Sequence, residues 1–389
     1  MEKVKFGIIG VGNMGLGHLQ SFHGGRVKNG VVTAIADLNE KKLASAKKNY
    51  PGDYTCYNSG SDLIDNADVD AVLIAVPHYS HPELTIRALK KGLHVLCEKP
   101  AGVYTKQVKE MNEVAQKSDK LFTMMYNQRT NPLYIKMHDL VHSGEIGEIR
   151  RVNWLITNWF RTQFYYDSGS WRATWAGEGG GVLMNQCPHQ LDLLQWICGM
   201  MPVKVRAFCH FGKWHEIEVE DDVTAYMEFE NGATGAFITS TADTPGTNRF
   251  EIMGSKGKLV CEKDELTVYR TGVNVNEFLR LAKGGFDEPK YETEVMKQSG
   301  DNPQHVGIMN NFANAILGLE PLYVDGKEGL KCVERIDSML LSTWLDKTVS
   351  LPLNDDEYWE ELQKRIATSK VKTGEDILID NSMSFGGTK

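Results

Sequence analysis

The sequence predicts an α/β protein with an N-terminal Rossmann domain, whose sheet is parallel and doubly wound, and a C-terminal α/β domain with a large, open, mostly antiparallel sheet. Two observations support this class. In the first 125 residues, short apolar, β-branched runs alternate with amphipathic segments, as in a parallel sheet covered by helices on both faces. After about residue 127, apolar and polar side chains alternate between turn signals, which is typical of antiparallel strands with one exposed face.

Strand and helix patterns set the boundaries of the two predicted domains. The predicted strands of the first domain are Val4–Ile9, Val31–Ala36, Ala71–Val76, His94–Cys97 and Leu121–Met125, with helical patterns at Glu40–Asn49, Pro82–Lys91 and Lys106–Lys117. In the second domain, helical patterns occur at Asn131–Val141, Val306–Leu317 and Glu328–Leu345, and strand patterns at Ile149–Phe160 and between Val203 and Arg270. We therefore assign residues 1–126 to the Rossmann domain, 127–350 to the second α/β domain and 351–389 to a C-terminal tail.

Composition and charge exclude several classes of protein. The chain of 389 residues is too long for one ordinary core, which favours two domains. A net charge of -8 without a dense Lys/Arg cluster argues against nucleic acid as a partner. No apolar run reaches the ~18 residues of a membrane span, and the N-terminus lacks the pattern of a signal peptide. Seven scattered cysteines without a Cys-x-x-Cys pair indicate reduced thiols, so we expect a cytoplasmic protein.

A glycine-rich motif follows the first predicted strand and opens a helical segment. It consists of Gly10, Gly12 and Gly15, with Asn13 and Met14 between the last two. Such glycines allow a pyrophosphate to approach the backbone at the N-terminus of a helix, which attracts anions. Asp37 ends the second strand at the spacing expected of a carboxylate that binds the adenosine ribose hydroxyls. Since a carboxylate there repels a 2′-phosphate, the motif predicts NAD as the cofactor.

The predicted strand Ala71–Val76 is followed by Pro77 and His78, at the carboxyl edge of the sheet, where ligands bind in open α/β folds. His81 follows within one helical turn. These residues either contact the cofactor or only shape the loop and cap the next helix.

Residues 179–192 place a thiol and an imidazole two positions apart behind three glycines. This arrangement could form a metal site, a nucleophilic cysteine with its base, a proton relay or a buried helix. Cys187 and His189 are poorly spaced to meet on a helix, and a metal would need at least three converging ligands. His138 and His142 have metal-like spacing on a predicted surface helix, but they lack the Glu of a metalloprotease motif. We therefore expect no metal and assign Cys187 to packing.

The motifs together resemble those of one family, the glucose–fructose oxidoreductase, inositol dehydrogenase and rhizopine-catabolism (Gfo/Idh/MocA) group. The resemblance rests on the glycine motif, Asp37, the run Ala88–Pro100 that ends in Glu98-Lys99-Pro100, and the run Gly179–Asp192. It implies a bound nicotinamide and the reversible oxidation of a secondary alcohol on a sugar, cyclitol or related polyol. It also implies a second domain that binds substrate and whose open sheet packs on another subunit, hence a homo-oligomer, dimer or tetramer. In this family the lysine at the position of Lys99 holds the reacting hydroxyl, and the histidine at the position of His189 is the acid/base.

This chain departs from the family pattern at Asn185, where an aspartate is usual. Because an amide cannot carry a proton or a negative charge at neutral pH, acid/base chemistry should shift to His189 and Lys99. Family members with asparagine here include some that act at C3 of a hexose ring. Two alternatives remain: a glycoside-modifying enzyme that uses NAD for oxidation and elimination, and a non-catalytic nucleotide-binding regulator. Asp192, one turn after His189, is either an orienting group or a helix contact.

An aromatic stretch from residue 159 to 175 is the predicted substrate surface, because aromatic faces pack on the apolar face of a sugar ring while arginine and tyrosine bind its hydroxyls. The alternative is that these rings form the core of a long connection. The sequence-predicted cofactor contacts also include Glu98, Lys99 and Asn127. The sequence-predicted substrate contacts are Lys99, Tyr126, Arg161, Tyr165, Arg172, Trp175, Asn185 and His189.

Overall fold

The computed structural model describes residues 3–370, 372 and 377 of the chain. The first sheet has six parallel strands: β1 (Val4–Ile9), β2 (Gly30–Ala36), β3 (Thr55–Tyr57), β4 (Ala71–Ile74), β5 (His94–Cys97) and β6 (Phe122–Met124). Its helices are α1 (Asn13–His23), α2 (Glu40–Asn49), α3 (Gly60–Asn66), α4 (Ser80–Lys91) and α5 (Thr105–Lys117). The strand order β3-β2-β1-β4-β5-β6 confirms the predicted doubly wound sheet.

Local chemistry explains where these elements begin and end. All four residues of β4 are buried, as the continuous apolar run predicts for a strand covered on both faces. Asn39 and Ser59 cap α2 and α3 by accepting hydrogen bonds from backbone N–H groups of the first turn. Gly92 ends α4 with a φ of 85°, which a side chain would disfavour. The order in which the strands are added reverses between β1 and β4, and this switch point opens a cleft at their carboxyl ends.

The second sheet has nine strands. Its strands are β7 (Ile149–Ile156), β8 (Pro202–Phe211), β9 (Glu220–Phe229), β10 (Thr234–Ser240), β11 (Asn248–Gly254), β12 (Gly257–Glu262), β13 (Glu265–Thr271), β14 (Tyr291–Lys297) and β15 (Val349–Ser350). Only β7 and β10 pair in parallel, so the prediction of a mostly antiparallel sheet is confirmed. Buried and exposed residues alternate along β9 and β10, with one face packed on helices.

The helices of this part of the chain are α6 (Pro132–His142), α7 (Gln163–Asp167), α8 (Val182–Asn185), α9 (Pro188–Cys198), α10 (Val275–Leu281), α11 (Gln304–Ile316), α12 (Gly329–Trp344) and α13 (Asp355–Ile366). Two 3₁₀ turns lie at Asn127–Thr130 and Gly326–Glu328. No helix among the described residues is both long and apolar enough to cross a bilayer.

Helix α12 joins the two sheets. It packs against β8 of the second sheet and α5 of the first, and the backbone N–H of Thr105 donates to Asp337 at 2.9 Å. Part of the predicted tail is structured, since Tyr358 and Leu362 of α13 are fully buried. The ring of Trp359 lies 4.2 Å from that of Tyr104. The helix α13 thus packs on the Rossmann domain.

Candidate active site

A cleft of ≈ 980 Å³ lies at the switch point of the first sheet and reaches the second domain. Its walls bring together parts of the chain that are far apart in sequence: the glycine loop, the end of β2, the end of β5 and the segments 168–172 and 185. A cleft of this size at this place in an α/β fold is the expected position of a dinucleotide and its substrate.

The three positions of the loop require glycine for different reasons. A Cβ on Gly10, whose φ is +89°, would lie 2.4 Å from the carbonyl oxygen of Ala75, and a Cβ on Gly15 would lie 1.8 Å from the carbonyl oxygen of Gly10. These two positions therefore need glycine for the fold itself. Gly12 differs, because a Cβ there would meet no described heavy atom within 4 Å and would point into open space. That space is where a pyrophosphate would reach the backbone.

The residues around the loop fit a nicotinamide dinucleotide. Asn13 and Met14 line the cleft at the first turn of α1, and no side chain caps the N-terminal N–H groups of this helix among the described residues. Asp37 also lines the cleft, and it is fixed by hydrogen bonds from the backbone N–H groups of Val11 and Asn39, each at 2.9 Å. A carboxylate held in this way is placed to bind the ribose hydroxyls of the dinucleotide.

Replacing Gly12 by valine tests this fit. We expect the side chain to fill the pyrophosphate space and weaken NADH binding roughly 100-fold, about the loss of two charge-assisted hydrogen bonds. The melting temperature should stay unchanged, because no described atom lies near the new Cβ. Fluorescence titration with NADH measures the affinity. Gly285→Val, at another open glycine position remote from the cleft, is the control. NADH binding that survives in Gly12→Val would contradict this placement of the cofactor.

The strand-end histidines lie at the cleft, but backbone contacts hold their rings. His81 is buried, with its ring nitrogens 2.7 Å and 2.8 Å from the carbonyl oxygens of Pro100 and Val76. The Nδ1 atom of His78 lies 3.1 Å from the carbonyl oxygen of Glu178. Burial holds the pKa of both imidazoles below the usual value. Both rings therefore connect loops around the cleft, and Pro77 lines it beside them.

Lys99 lies at the centre of the cleft wall. Its ammonium donates a hydrogen bond of 2.7 Å to the backbone carbonyl of Asn185. Burial lowers the pKa of Lys99, and the charge of Glu98 opposes this effect. Burial would raise the pKa of Glu98, but the hydrogen bond and charge of His18, 2.7 Å away, bring it down to about 2. Glu98 is therefore ionised, and its negative charge stabilises the ammonium of Lys99.

His189 is the second residue of α9 and is half-buried. Its charged neighbours are Lys99, His305 and Glu98, and burial followed by the charge of Lys99 lowers its pKa well below the usual value. Its Nδ1 atom is buried and has no hydrogen-bond partner among the described residues. A neutral imidazole with an unpartnered nitrogen can accept a proton. His189 does not line the cleft itself and lies among these charged groups.

The predicted substrate residues Tyr165, Arg172 and Asn185 form one hydrogen-bonded network. Arg172 donates to the hydroxyl of Tyr165 at 2.8 Å and lies over its ring at 4.6 Å. The same hydroxyl donates to the side-chain oxygen of Asn185 at 3.3 Å. Arg161 lies over the other side of this group, 5.0 Å from the Tyr165 ring. The structure therefore brings four of the predicted residues together, and two of them, Arg172 and Asn185, line the cleft as Lys99 does.

Tyr165 and Arg161 do not line the cleft themselves, and neither do three further predicted site residues. Trp175 is 6% exposed and packs against Phe211 and Trp344, so its ring belongs to the core of the second domain. Tyr126 is fully buried. Asn127 is also buried, and it donates to Gln304 at 2.6 Å. Trp175 is therefore a core residue, which is the alternative that the sequence left open. Tyr126 and Asn127, which follow β6, are buried inside the protein and do not face the cleft.

The structure also decides the alternatives for Cys187 and Asp192. Cys187 is buried, contacts the hydroxyl of Thr239 at 3.2 Å, and burial raises its thiol pKa to about 12. It is a packing residue. Both oxygens of Asp192 accept hydrogen bonds from Arg129, at 2.8 Å and 2.6 Å. Asp192 is thus a buried helix contact. Within residues 3–370, 372 and 377, no group of three or more His, Cys, Asp or Glu side chains is placed to hold a metal.

Sequence reasoning missed Glu178, His18 and His305. Glu178 is buried and contacts the side chain of Asn185. The ring of His305 lies 5.6 Å from that of His18, close to Glu98. Glu178 immediately precedes the glycine run, which was the available signal for it. His18 lies on α1, three residues after Gly15 of the glycine motif, and His305 lies on α11; neither belongs to a motif pattern, and the fold brings both close to Glu98.

Comparisons with known proteins agree with this geometry. A family model described as the oxidoreductase family with an NAD-binding Rossmann fold matches residues 4–126, and a model of the GFO/IDH/MocA C-terminal domain matches residues 134–260. Together they span more than half of the chain.

Individual relatives are distant but similar over most of their length. Myo-inositol 2-dehydrogenase of Thermotoga maritima is 28% identical over 273 residues, which cover 69% of this chain and 78% of that protein. Levoglucosan dehydrogenase of Pseudarthrobacter phenanthrenivorans is 25% identical over 311 residues, covering 69% and 76%. The crystal structure of the WlbA dehydrogenase from Bordetella pertussis with NADH and UDP-GlcNAcA has a TM-score of 0.74 at 25% identity, covering 91% of this chain and all of that one.

Proposed function

Because this chain belongs to the Gfo/Idh/MocA family of oxidoreductases, with a Rossmann domain that binds NAD, we propose that it interconverts a secondary alcohol and a ketone on a sugar, glycoside or cyclitol. The observation that carries the proposal is the position of Lys99: its ammonium lies in the wall of the nucleotide cleft, 2.7 Å from the carbonyl oxygen of Asn185. The relatives named as inositol and levoglucosan dehydrogenases support the substrate class.

Bound NAD supplies the acceptor for the hydride that leaves the carbinol carbon. Lys99 is placed to hold the hydroxyl, since an ammonium has three donors and one of them remains on Asn185. As the hydroxyl loses its proton, its oxygen gains negative charge, and the ammonium stabilises that charge. In the reverse direction the same contact polarises the ketone.

Because His189 does not line the cleft, the proton of the hydroxyl reaches it through Lys99: the ammonium releases one proton to His189 and takes up the proton of the hydroxyl. His189 is held neutral by burial and by the charge of Lys99, which lower its pKa, so its imidazole is ready to accept. Asn185 cannot take part in this transfer, because an amide does not ionise at neutral pH. It orients groups instead, through its backbone carbonyl on Lys99 and its side chain toward Tyr165.

The substrate end of the cleft suits a ring with several hydroxyls. Arg172 and Asn185 line the cleft with polar groups, and Trp171 lines it with an aromatic ring that lies under the guanidinium of Arg172. A pyranose or cyclitol has one apolar face for the aromatic group and equatorial hydroxyls for the polar groups. We propose a hexose-derived ring oxidised at C3 as the first substrate to test, with asparagine at 185 as the supporting feature.

A panel of polyols tests the proposal. Purified protein is incubated with NAD and myo-inositol, levoglucosan, D-glucose and methyl glucosides, and formation of the reduced nicotinamide is followed by absorbance. We expect reduction with at least one ring polyol, and NMR of the product should identify the ketone carbon. Protein that binds NADH but reduces NAD with none of these compounds would favour a non-catalytic regulator instead.

A further inference from the structure

Glu178 lies at the centre of the contacts at the substrate end of the cleft, although it is only 2% exposed. Its carboxylate accepts hydrogen bonds from the side-chain nitrogen of Asn185 and from the backbone N–H of Ala173, the latter at 2.6 Å. A guanidinium nitrogen of Arg172 lies 3.9 Å from the oxygen that Asn185 contacts. Burial raises the pKa of Glu178, and the charge of Arg172 and the two hydrogen bonds oppose this effect. A buried carboxylate is costly unless it is paired in this way.

Asn185 links Glu178 to Lys99. Its amide nitrogen contacts Glu178, and its amide oxygen accepts from Tyr165 at 3.3 Å and Gln186 at 3.2 Å. These contacts fix which way the amide points, because only the nitrogen can donate to a carboxylate. The backbone carbonyl of the same residue accepts from Lys99 at 2.7 Å. An ionised aspartate at position 185 would instead place two negative charges in contact.

The charges at this end of the cleft are arranged around Glu178. Lys99 and Arg172 bring positive charge from two different segments, and Glu178 is the carboxylate that contacts Asn185 between them. On the other side of Lys99, Glu98 is engaged with His18. We propose that Glu178 is a positioning residue for the reaction. It fixes the side-chain amide of Asn185, whose backbone carbonyl accepts a hydrogen bond from Lys99, and so it positions Lys99. It also supplies the negative charge that position 185 lacks.

Position 185 has an amide, which donates a hydrogen bond, because the neighbouring Glu178 already supplies a carboxylate. A carboxylate and an amide in contact form a satisfied pair, and either member of the pair can carry the charge. Exchanging the two groups should therefore preserve the pair, whereas changing one group alone should break it. The kinetic consequence rests on the proposed function, but the effect on Lys99 does not.

The exchange is tested with Glu178→Gln, Asn185→Asp and the double variant, using a polyol from the panel that the wild type oxidises. We expect each single variant to lower kcat by roughly 10–100-fold, since small misplacements of reacting groups cost up to about 100-fold. NADH affinity should stay within about threefold of the wild type, because the expected change is in orientation and not in cofactor contacts. The double variant should recover most of kcat. Glu113→Gln, an exposed position on α5, is the matched control.

A second measurement needs no substrate. Acetic anhydride labels neutral amines, so the extent of Lys99 labelling against pH, read by mass spectrometry, reports the pKa of this lysine. Glu178 raises the pKa of Lys99 by its charge, acting with Glu98 against burial and Arg172. Glu178→Gln should therefore shift the labelling midpoint to lower pH, and the double variant should shift it back.

The two measurements separate the two proposals. If the wild type oxidises no polyol of the panel, the proposed function fails, and the Lys99 labelling still decides the role of Glu178. Labelling and kcat that are unchanged in Glu178→Gln would overturn the proposal. So would a double variant that is as impaired as the two single variants combined, since this is the result expected if Glu178 only supports the fold.

Discussion

Lys99→Met should abolish most turnover while leaving the cofactor bound. Methionine keeps an unbranched apolar side chain of similar reach but removes the charge and the three donors. We expect kcat/KM to fall by roughly 10³-fold, since a positioned proton-transfer group contributes about 10²–10⁴-fold. The fall should appear mainly in kcat, because the ammonium interacts more strongly with the developing oxyanion than with the neutral hydroxyl.

Two further variants make this result specific. Lys90→Met, on the exposed surface of α4, should behave as wild type. Lys99→Arg keeps the charge but replaces a compact ammonium by a planar fork, so it should not restore activity. NADH titration checks that the cofactor still binds. Full turnover in Lys99→Met would remove Lys99 from the reaction and with it the proposed mechanism.

Asp192→Ala should strongly destabilise the folded protein. The side chains of Asp192 and Arg129 are each 1% exposed, and the aspartate accepts two hydrogen bonds from the guanidinium. Burial alone would lower the pKa of Arg129, and the carboxylates of Asp192 and Glu328 overcome this effect and raise it. Without Asp192 the buried charge retains only Glu328 among its described carboxylate partners, and the side chain of Glu328 is 30% exposed.

Removing one partner of a buried ion pair costs about 3–5 kcal/mol, and we expect a loss in this range for Asp192→Ala. Chemical unfolding measures it. Asp119→Ala removes a carboxylate that is 86% exposed, and an exposed pair contributes at most about 1 kcal/mol. The double variant Arg129→Met with Asp192→Leu should recover much of the stability, because it removes both charges together. A loss below about 1 kcal/mol in Asp192→Ala would show that the pair is not buried in solution.

The elements that the sequence predicts well are those whose periodicity is strong. The strands β1, β4 and β5 are continuous apolar runs, and the helix α2 has a capping Asn39 before its amphipathic face. The strand β3 has only three residues and is half-exposed, so no pattern distinguishes it from a loop. The edge strand β14 is likewise almost entirely exposed, and three of its seven residues are charged.

The site shows a similar division. Lys99, Asn185 and the glycine loop follow from motifs because their chemistry requires particular residues at particular spacings. Glu178 is one of 51 acidic residues, and its place before the glycine run does not show that it contacts Asn185. Trp175 and Arg172 are three residues apart, yet one enters the core and the other the cleft. The turn between them includes Ala173 with a φ of 58°, a conformation that sequence patterns do not predict for alanine.

The most direct test of the central claim follows the hydrogen itself. A polyol that the protein oxidises is prepared with deuterium on its ring carbons, and the reduced nicotinamide is analysed by mass spectrometry after turnover. Direct transfer between the carbinol carbon and NAD predicts one deuterium in the nicotinamide product and a slower chemical step with the labelled substrate, and Lys99→Met should form far less of this labelled product in the same time. A nicotinamide product without deuterium, or label released to water, would contradict hydride transfer from the carbinol carbon.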